Sequence, residues 1–177
     1  MFRILLIDDG KDDREMTKKV LKEALEGVAH EIVEFDNGRA GLVEFKRARD
    51  AGKTFGLVVT DFMMKGEMDG RDVVLNIRAW DKEVPIAVVT GNVREFKEKT
   101  SAEFNFAVFD KKDVHFPKSE GQNKFKKYIR NAATSFGAIG RTDTPSGGDV
   151  RKHHKELKEL QIGTQYHFKP RRQTHFA

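Results

Sequence analysis

Five short apolar runs separated by amphipathic stretches predict an α/β fold, a doubly wound parallel sheet of five strands. Most of these runs are short, aliphatic or aromatic, and closed by polar residues, as a buried strand requires, while the second sets Ile32 and Val33 among acids. Between the runs, apolar residues recur at helical spacings. Strands that alternate with helices pair in parallel, and right-handed crossovers place helices on both faces of the sheet.

Strand one is Arg3-Ile-Leu-Leu-Ile-Asp8. Asp12, Asp13 and Glu15 then open a helix carrying Met16, Val20, Leu21 and Leu25, and Gly27 closes it. Strand two, from His30 to Phe35, ends at the turn signal Asp36-Asn37-Gly38 and leads into a helix over 40–51. Strand three runs from Phe55 to Asp61; a loop with Gly66 leads to a helix from about Asp69, carrying Val73, Val74, Ile77 and Trp80. Pro85 to Thr90 is strand four, a short polar helix is expected over 94–103, and Phe106 to Phe109 is strand five. The last helix spans 119–135 with Phe125, Tyr128, Ile129 and Ala132.

This regularity stops at Gly137. The reading is a domain over 1–136 and a C-terminal extension over 137–177, with a Pro/Gly/Ser-rich linker, one short amphipathic segment and no core of its own. Charge divides the same way. Residues 1–136 hold 25 basic and 24 acidic side chains, whereas 137–177 hold 8 and 4, so the extension carries +4 of the net +5. The basic pI therefore describes an appendage, and nucleic acid is not the expected partner of the domain. Cysteine is absent, which removes disulfides, thiolate metal sites and Cys nucleophiles. No apolar run approaches the ~20 residues of a membrane span, and a cytoplasmic protein is expected.

In an open parallel sheet, ligands bind beyond the carboxyl ends of the strands. Here those ends carry Asp8 and Asp9 (strand one), Asp61 (strand three), Thr90 (strand four) and Lys111 or Lys112 (strand five). Carboxylates gathered at one edge repel one another and call for a cation; an all-oxygen donor set favours a hard ion of the Mg²⁺ type. A lysine and a hydroxyl beside it suit a phosphoryl oxygen, and one carboxylate can act as nucleophile. Asp12 and Asp13 read as first-turn helix acids, Met63 and Met64 as packing residues, and Trp80 as a helix anchor. The His153-His154 pair lacks the second pair of ligands a zinc site would need.

Ile4-Leu-Leu-Ile-Asp-Asp9, Val58-Val-Thr-Asp-Phe-Met-Met64 with Met68-Asp-Gly70, Val88-Val-Thr-Gly91 and the lysine near 111 together resemble the receiver domains of two-component response regulators, over about 1–135. The resemblance implies a flavodoxin-like fold with strand order 2-1-3-4-5, and Asp61 as phosphoacceptor. It further implies Asp8, Asp9, Asp61 and the main-chain carbonyl of Met63 around Mg²⁺, Thr90 as the switch hydroxyl, and the lysine as phosphate contact. A histidine kinase or phosphotransfer protein would donate the phosphoryl group. Output would pass to a downstream protein, or a second copy of the chain, through the extension or the face of helix four, strand five and helix five. Such a protein is a phosphorelay receiver, not an enzyme in the ordinary sense.

Three departures from the family pattern stand out. Lys65 occupies the place of a proline, Gly70 falls nine residues after Asp61 instead of eight, and Val108, with Lys111 as the phosphate lysine, stands where the switch aromatic belongs. They motivate an alternative reading, a receiver-fold binding module that phosphate does not switch; a regulator binding nucleic acid through the basic extension is another. A phosphohydrolase would place a second acid where Met63 stands.

Overall fold

The computed structural model describes residues 1–66, 68–93 and 106–139. Its elements are β1 (Phe2–Ile7), α1 (Lys11–Ala24), β2 (His30–Phe35), α2 (Gly38–Asp50), β3 (Leu57–Asp61), α3 (Gly70–Trp80), β4 (Ile86–Thr90), β5 (Ala107–Asp110), α4 (Lys111–His115) and α5 (Glu120–Ser135). The strands form one five-stranded sheet of order β2-β1-β3-β4-β5, all pairs parallel. The helix expected over 94–103 and the chain beyond 139 lie outside the described residues. Among the described residues no helix is long and apolar enough to cross a membrane.

The period-two geometry of a strand explains the continuous apolar runs. Ile4 and Leu6 of β1, Leu57 and Val59 of β3, and Ala87 and Val89 of β4 face one core with Leu21 of α1 and Phe125 and Ile129 of α5. Leu5, Ile7, Val58, Ile86 and Val88 face the other, with Phe45 of α2 and Val74 and Ile77 of α3. Trp80 stacks on Phe45 at 6.4 Å between ring centroids and anchors the end of α3. Tyr128, fully buried, donates to the Ile86 carbonyl at 3.0 Å and ties α5 to β4. Burial pushes its hydroxyl pKa up, so it stays a donor.

Helix starts follow capping chemistry. Asn37 accepts from Ala40 N, so the residue read as part of a turn is the N-cap of α2. Ser119 caps α5, and Asp69 with Asp72 forms a capping box at α3. Asp69→Ala should lower unfolding free energy by about 1 kcal/mol in urea titrations, the usual worth of an N-cap carboxylate. α5 ends at Gly137, whose φ of +80° turns Ala138 and Ile139 back onto the core. The described start of the expected extension, 137–139, thus packs with the domain.

Candidate functional site

The carboxyl edge of the sheet gathers Asp8, Asp9, Asp61, Thr90 and Lys111. The Asp8 amide donates to the Phe35 carbonyl, extending the β1–β2 ladder one residue past Ile7 and fixing where Asp8 emerges. Its carboxylate accepts from Gly10 N at 2.8 Å, and its carbonyl from Arg14 Nη1 at 2.6 Å. Asp61, the last residue of β3, accepts from Met63 N at 3.2 Å. Asp9 reaches across to the following loop, where its Oδ2 accepts from the main-chain N–H of Lys65 at 3.0 Å. One carboxylate oxygen from each of Asp8, Asp9 and Asp61 lies within 4.8 Å of the other two.

Of the two lysines considered, Lys111 enters this cluster. Its Nζ lies 2.8 Å from Asp61 Oδ2, 2.9 Å from Asp13 Oδ2 and 3.1 Å from Asp8 Oδ2. Lys112 instead gives its backbone N–H to the Asp110 carboxylate, which caps α4. Phe109 packs edge-on against Phe125 in the core of α1 and α5, while Val108 meets the opposite core.

Asp8 and Asp61 are 2% and 5% exposed. Burial pushes both carboxyl pKa values above the ordinary range, only partly opposed by Lys111. Burial also works against the Lys111 ammonium, but its bonds to Asp13 and Asp61 outweigh that and raise its pKa. Three carboxylates, those of Asp8, Asp13 and Asp61, thus surround one ammonium, with Asp9 close by, and burial disfavours the charge of Asp8 and Asp61. An oxygen-lined cluster with this surplus of negative charge fits a divalent cation, which would favour the carboxylate forms of Asp8 and Asp61 against the effect of burial.

Thr90 ends β4, fully buried, and its hydroxyl oxygen accepts from Asn92 N at 3.2 Å. A Cβ built on Gly91, the next residue, would meet nothing within 4 Å, so the space at Gly91 is open. Met64 is buried, whereas Met63 is 47% exposed and does not pack as expected. Lys65 presents its side chain to solvent; its main chain makes the contact with Asp9. Beyond its expected place in the first turn of α1, Asp13 also belongs to the site through Lys111. No local signal places it there, because its partner Lys111 lies 98 residues away in sequence.

His115 lies behind this cluster, its side chain 9% exposed. Burial pushes its imidazole pKa below the ordinary value, against the opposing pull of Asp13. The unfolded chain then takes up a proton that the folded protein resists. His115 therefore costs stability as pH falls below its unfolded pKa of about 6.5, and the cost is complete below the folded pKa. Urea midpoints at about pH 7.5 and about pH 5.5 should differ less in His115→Gln than in wild type, the difference between the proteins isolating this group.

A doubly wound sheet of order 2-1-3-4-5 with acids and a lysine at its carboxyl edge defines a receiver-type signalling domain. The chain belongs to the response regulator receiver domain family, which matches residues 4–118. It is 29% identical over 149 residues to Transcription factor prr1 of Schizosaccharomyces pombe, an alignment covering 84% of this chain and 25% of that protein. The chain thus spans about a quarter of the length of the curated relative it matches. Among solved structures it resembles a response regulator receiver protein from Sinorhizobium medicae WSM419, with TM-score 0.56, 19% identity, and 75% and 94% of the two chains covered. It also resembles the Mn(2+)-bound form of response regulator Rcp1, with TM-score 0.51, 22% identity, and 83% and 100% covered. At these identities the likeness is one of fold.

Proposed function

We propose that the domain accepts a phosphoryl group on Asp61 from a histidine kinase or phosphotransfer protein and passes the signal on by changing protein contacts. The observation that carries this reading is Lys111 Nζ seated 2.8 Å from Asp61 Oδ2, beside three carboxylates clustered within 4.8 Å. In the proposed reaction an Asp61 carboxylate oxygen attacks phosphorus, an O–P bond forms, and the bond to the donor breaks with its electron pair leaving on the donor. Mg²⁺, held by Asp8, Asp9, Asp61 and the Met63 carbonyl, would neutralise charge on the phosphoryl oxygens. Lys111 would take one phosphoryl oxygen. The Thr90 hydroxyl, which accepts from Asn92 N and keeps its own hydrogen to give, would donate to another, next to the open space at Gly91.

Family membership supports this reading, as does the Mn(2+)-bound form in which Rcp1 was solved. With Mg²⁺ and a small phosphodonor, intact-mass analysis should show one added phosphoryl group. The same incubation with a chelator should show none.

Val108 in place of an aromatic supports the second reading, a receiver-fold module whose contacts ignore phosphate. Equal affinity for a captured partner with and without beryllofluoride would favour that reading; a change of affinity would favour the first. A basic extension over 137–177 remains part of the proposal, as an output segment of a cytoplasmic protein.

A further inference from the structure

α4 is only five residues long, too short to hold a helix by itself, yet it begins with the lysine of the site. Its place is set by contacts on two sides. From α5, Gln122 Nε2 donates to the Val114 carbonyl at 2.9 Å, and the Ser119 hydroxyl bonds to the Asp113 carbonyl at 2.5 Å. On the α1 side, two residues one turn apart meet two residues one turn apart on α4. Asp13 Oδ2 takes Lys111 Nζ at 2.9 Å, and Thr17 Oγ1 meets His115 Nε2 at 2.9 Å. His115 Nδ1 also stands 3.7 Å from Asp13 Oδ1, which links the two rungs. The tautomer with hydrogen on Nδ1 suits both neighbours, since Nε2 then accepts from the Thr17 hydroxyl. Thr17 is buried, so this rung is shielded from water.

Resting on the proposed phosphoacceptor reading, we infer that Asp13 is a positioning residue for Lys111, backed by the His115–Thr17 pair. The Lys111 ammonium donates to Asp13 and Asp61 and stands 3.1 Å from Asp8 Oδ2 in an ion pair. When Asp61 becomes an acyl phosphate, Asp13 and Asp8 keep Nζ in place, and the hydrogen that Asp61 held is left to meet the new phosphoryl oxygen. Without Asp13 the long, flexible lysine keeps one fewer tether and samples more rotamers.

Two measurements on Asp13→Ala and Asp13→Asn test this. With saturating Mg²⁺, adduct formation from a small phosphodonor should be about tenfold slower in Asp13→Ala, the order of loss expected from a misplaced group. It should stay within about threefold of wild type in Asp13→Asn, whose amide oxygen still accepts. Independently of phosphoryl chemistry, exchange of the Lys111 ammonium hydrogens, followed by NMR of ¹⁵N-labelled protein, should accelerate by about tenfold in Asp13→Ala and little in Asp13→Asn. Thr17→Val, which leaves every carboxylate in place, should raise both effects to a smaller extent. Wild-type exchange and wild-type rate in Asp13→Ala would overturn the inference, as would faster exchange with an unchanged rate. Equal losses in the Ala and Asn variants would overturn it too, because they would assign the effect to charge. A wild type that forms no adduct defeats the phosphoacceptor reading, and the exchange measurement then decides whether Asp13 holds the lysine.

Discussion

Asp61→Asn should reduce phosphoryl adduct formation to below about one per cent of wild type, because the amide has no anionic oxygen to attack phosphorus. The substitution keeps the shape of the side chain, and Lys111 retains Asp8 and Asp13. Loss of adduct therefore cannot be put down to collapse of the site. A second effect has the opposite sign. Burial holds the Asp61 pKa above its ordinary value, so the ionised carboxylate is less welcome in the folded chain than in the unfolded one. Removing that charge should raise the melting temperature in metal-free buffer. With Mg²⁺ the order should reverse, because the wild type gains binding energy that the variant, one carboxylate short, gains less of. A differential scanning experiment with and without Mg²⁺ reads both signs.

The second large effect is expected at Gly70. A Cβ there would lie 2.0 Å from the Asp61 carbonyl oxygen and 2.7 Å from Phe62 Cα. Both obstacles are backbone, and Gly70 N already donates to the Phe62 carbonyl at 2.9 Å. Neither side can yield without moving α3 off the end of β3. Gly70→Ala should cost about 2–4 kcal/mol in denaturant unfolding, the range for overpacking a site that cannot relax. Because the strained atoms belong to Asp61 itself, adduct formation should slow as well. Gly66 offers the contrast. Its φ of +110° favours glycine, but a Cβ there would meet nothing within 4 Å. Gly66→Ala should therefore be milder, since only backbone conformation opposes it.

This pair of glycines also shows how much of the site could be read from the residues alone. The extra residue between Asp61 and Gly70 was visible as a departure in spacing, with its place at Lys65-Gly66-Glu67. What was not visible is that Gly70 stays packed on the end of β3 and that Lys65 gives Asp9 a backbone N–H, because spacing does not show contacts across the loop. The positions of β1, β3 and β4 were legible because burial on both faces leaves an unbroken apolar run, and Asp8, Asp61 and Thr90 followed as the residues at their ends. Helix starts were less so, since Asn37 serves a turn and an N-cap equally well.

Pointing Lys112 into the site would turn Asp110 inward beside it, whereas with Lys111 in the site Asp110 stays outside the core as the N-cap of α4. The short helix itself escaped notice because five residues carry no period. Asp13 read as an ordinary first-turn acid because its partner lies 98 residues away, a separation local pattern cannot bridge.

The central claim is that the edge acids and Lys111 make Asp61 a phosphoryl acceptor. The most direct test is to incubate the full chain with Mg²⁺ and a small phosphodonor and to map the adduct by peptide mass spectrometry, with and without hydroxylamine. An acyl phosphate on Asp61, dependent on the metal and cleaved by hydroxylamine, is the predicted result. No adduct, or one on a serine, threonine or histidine that survives hydroxylamine, would contradict it.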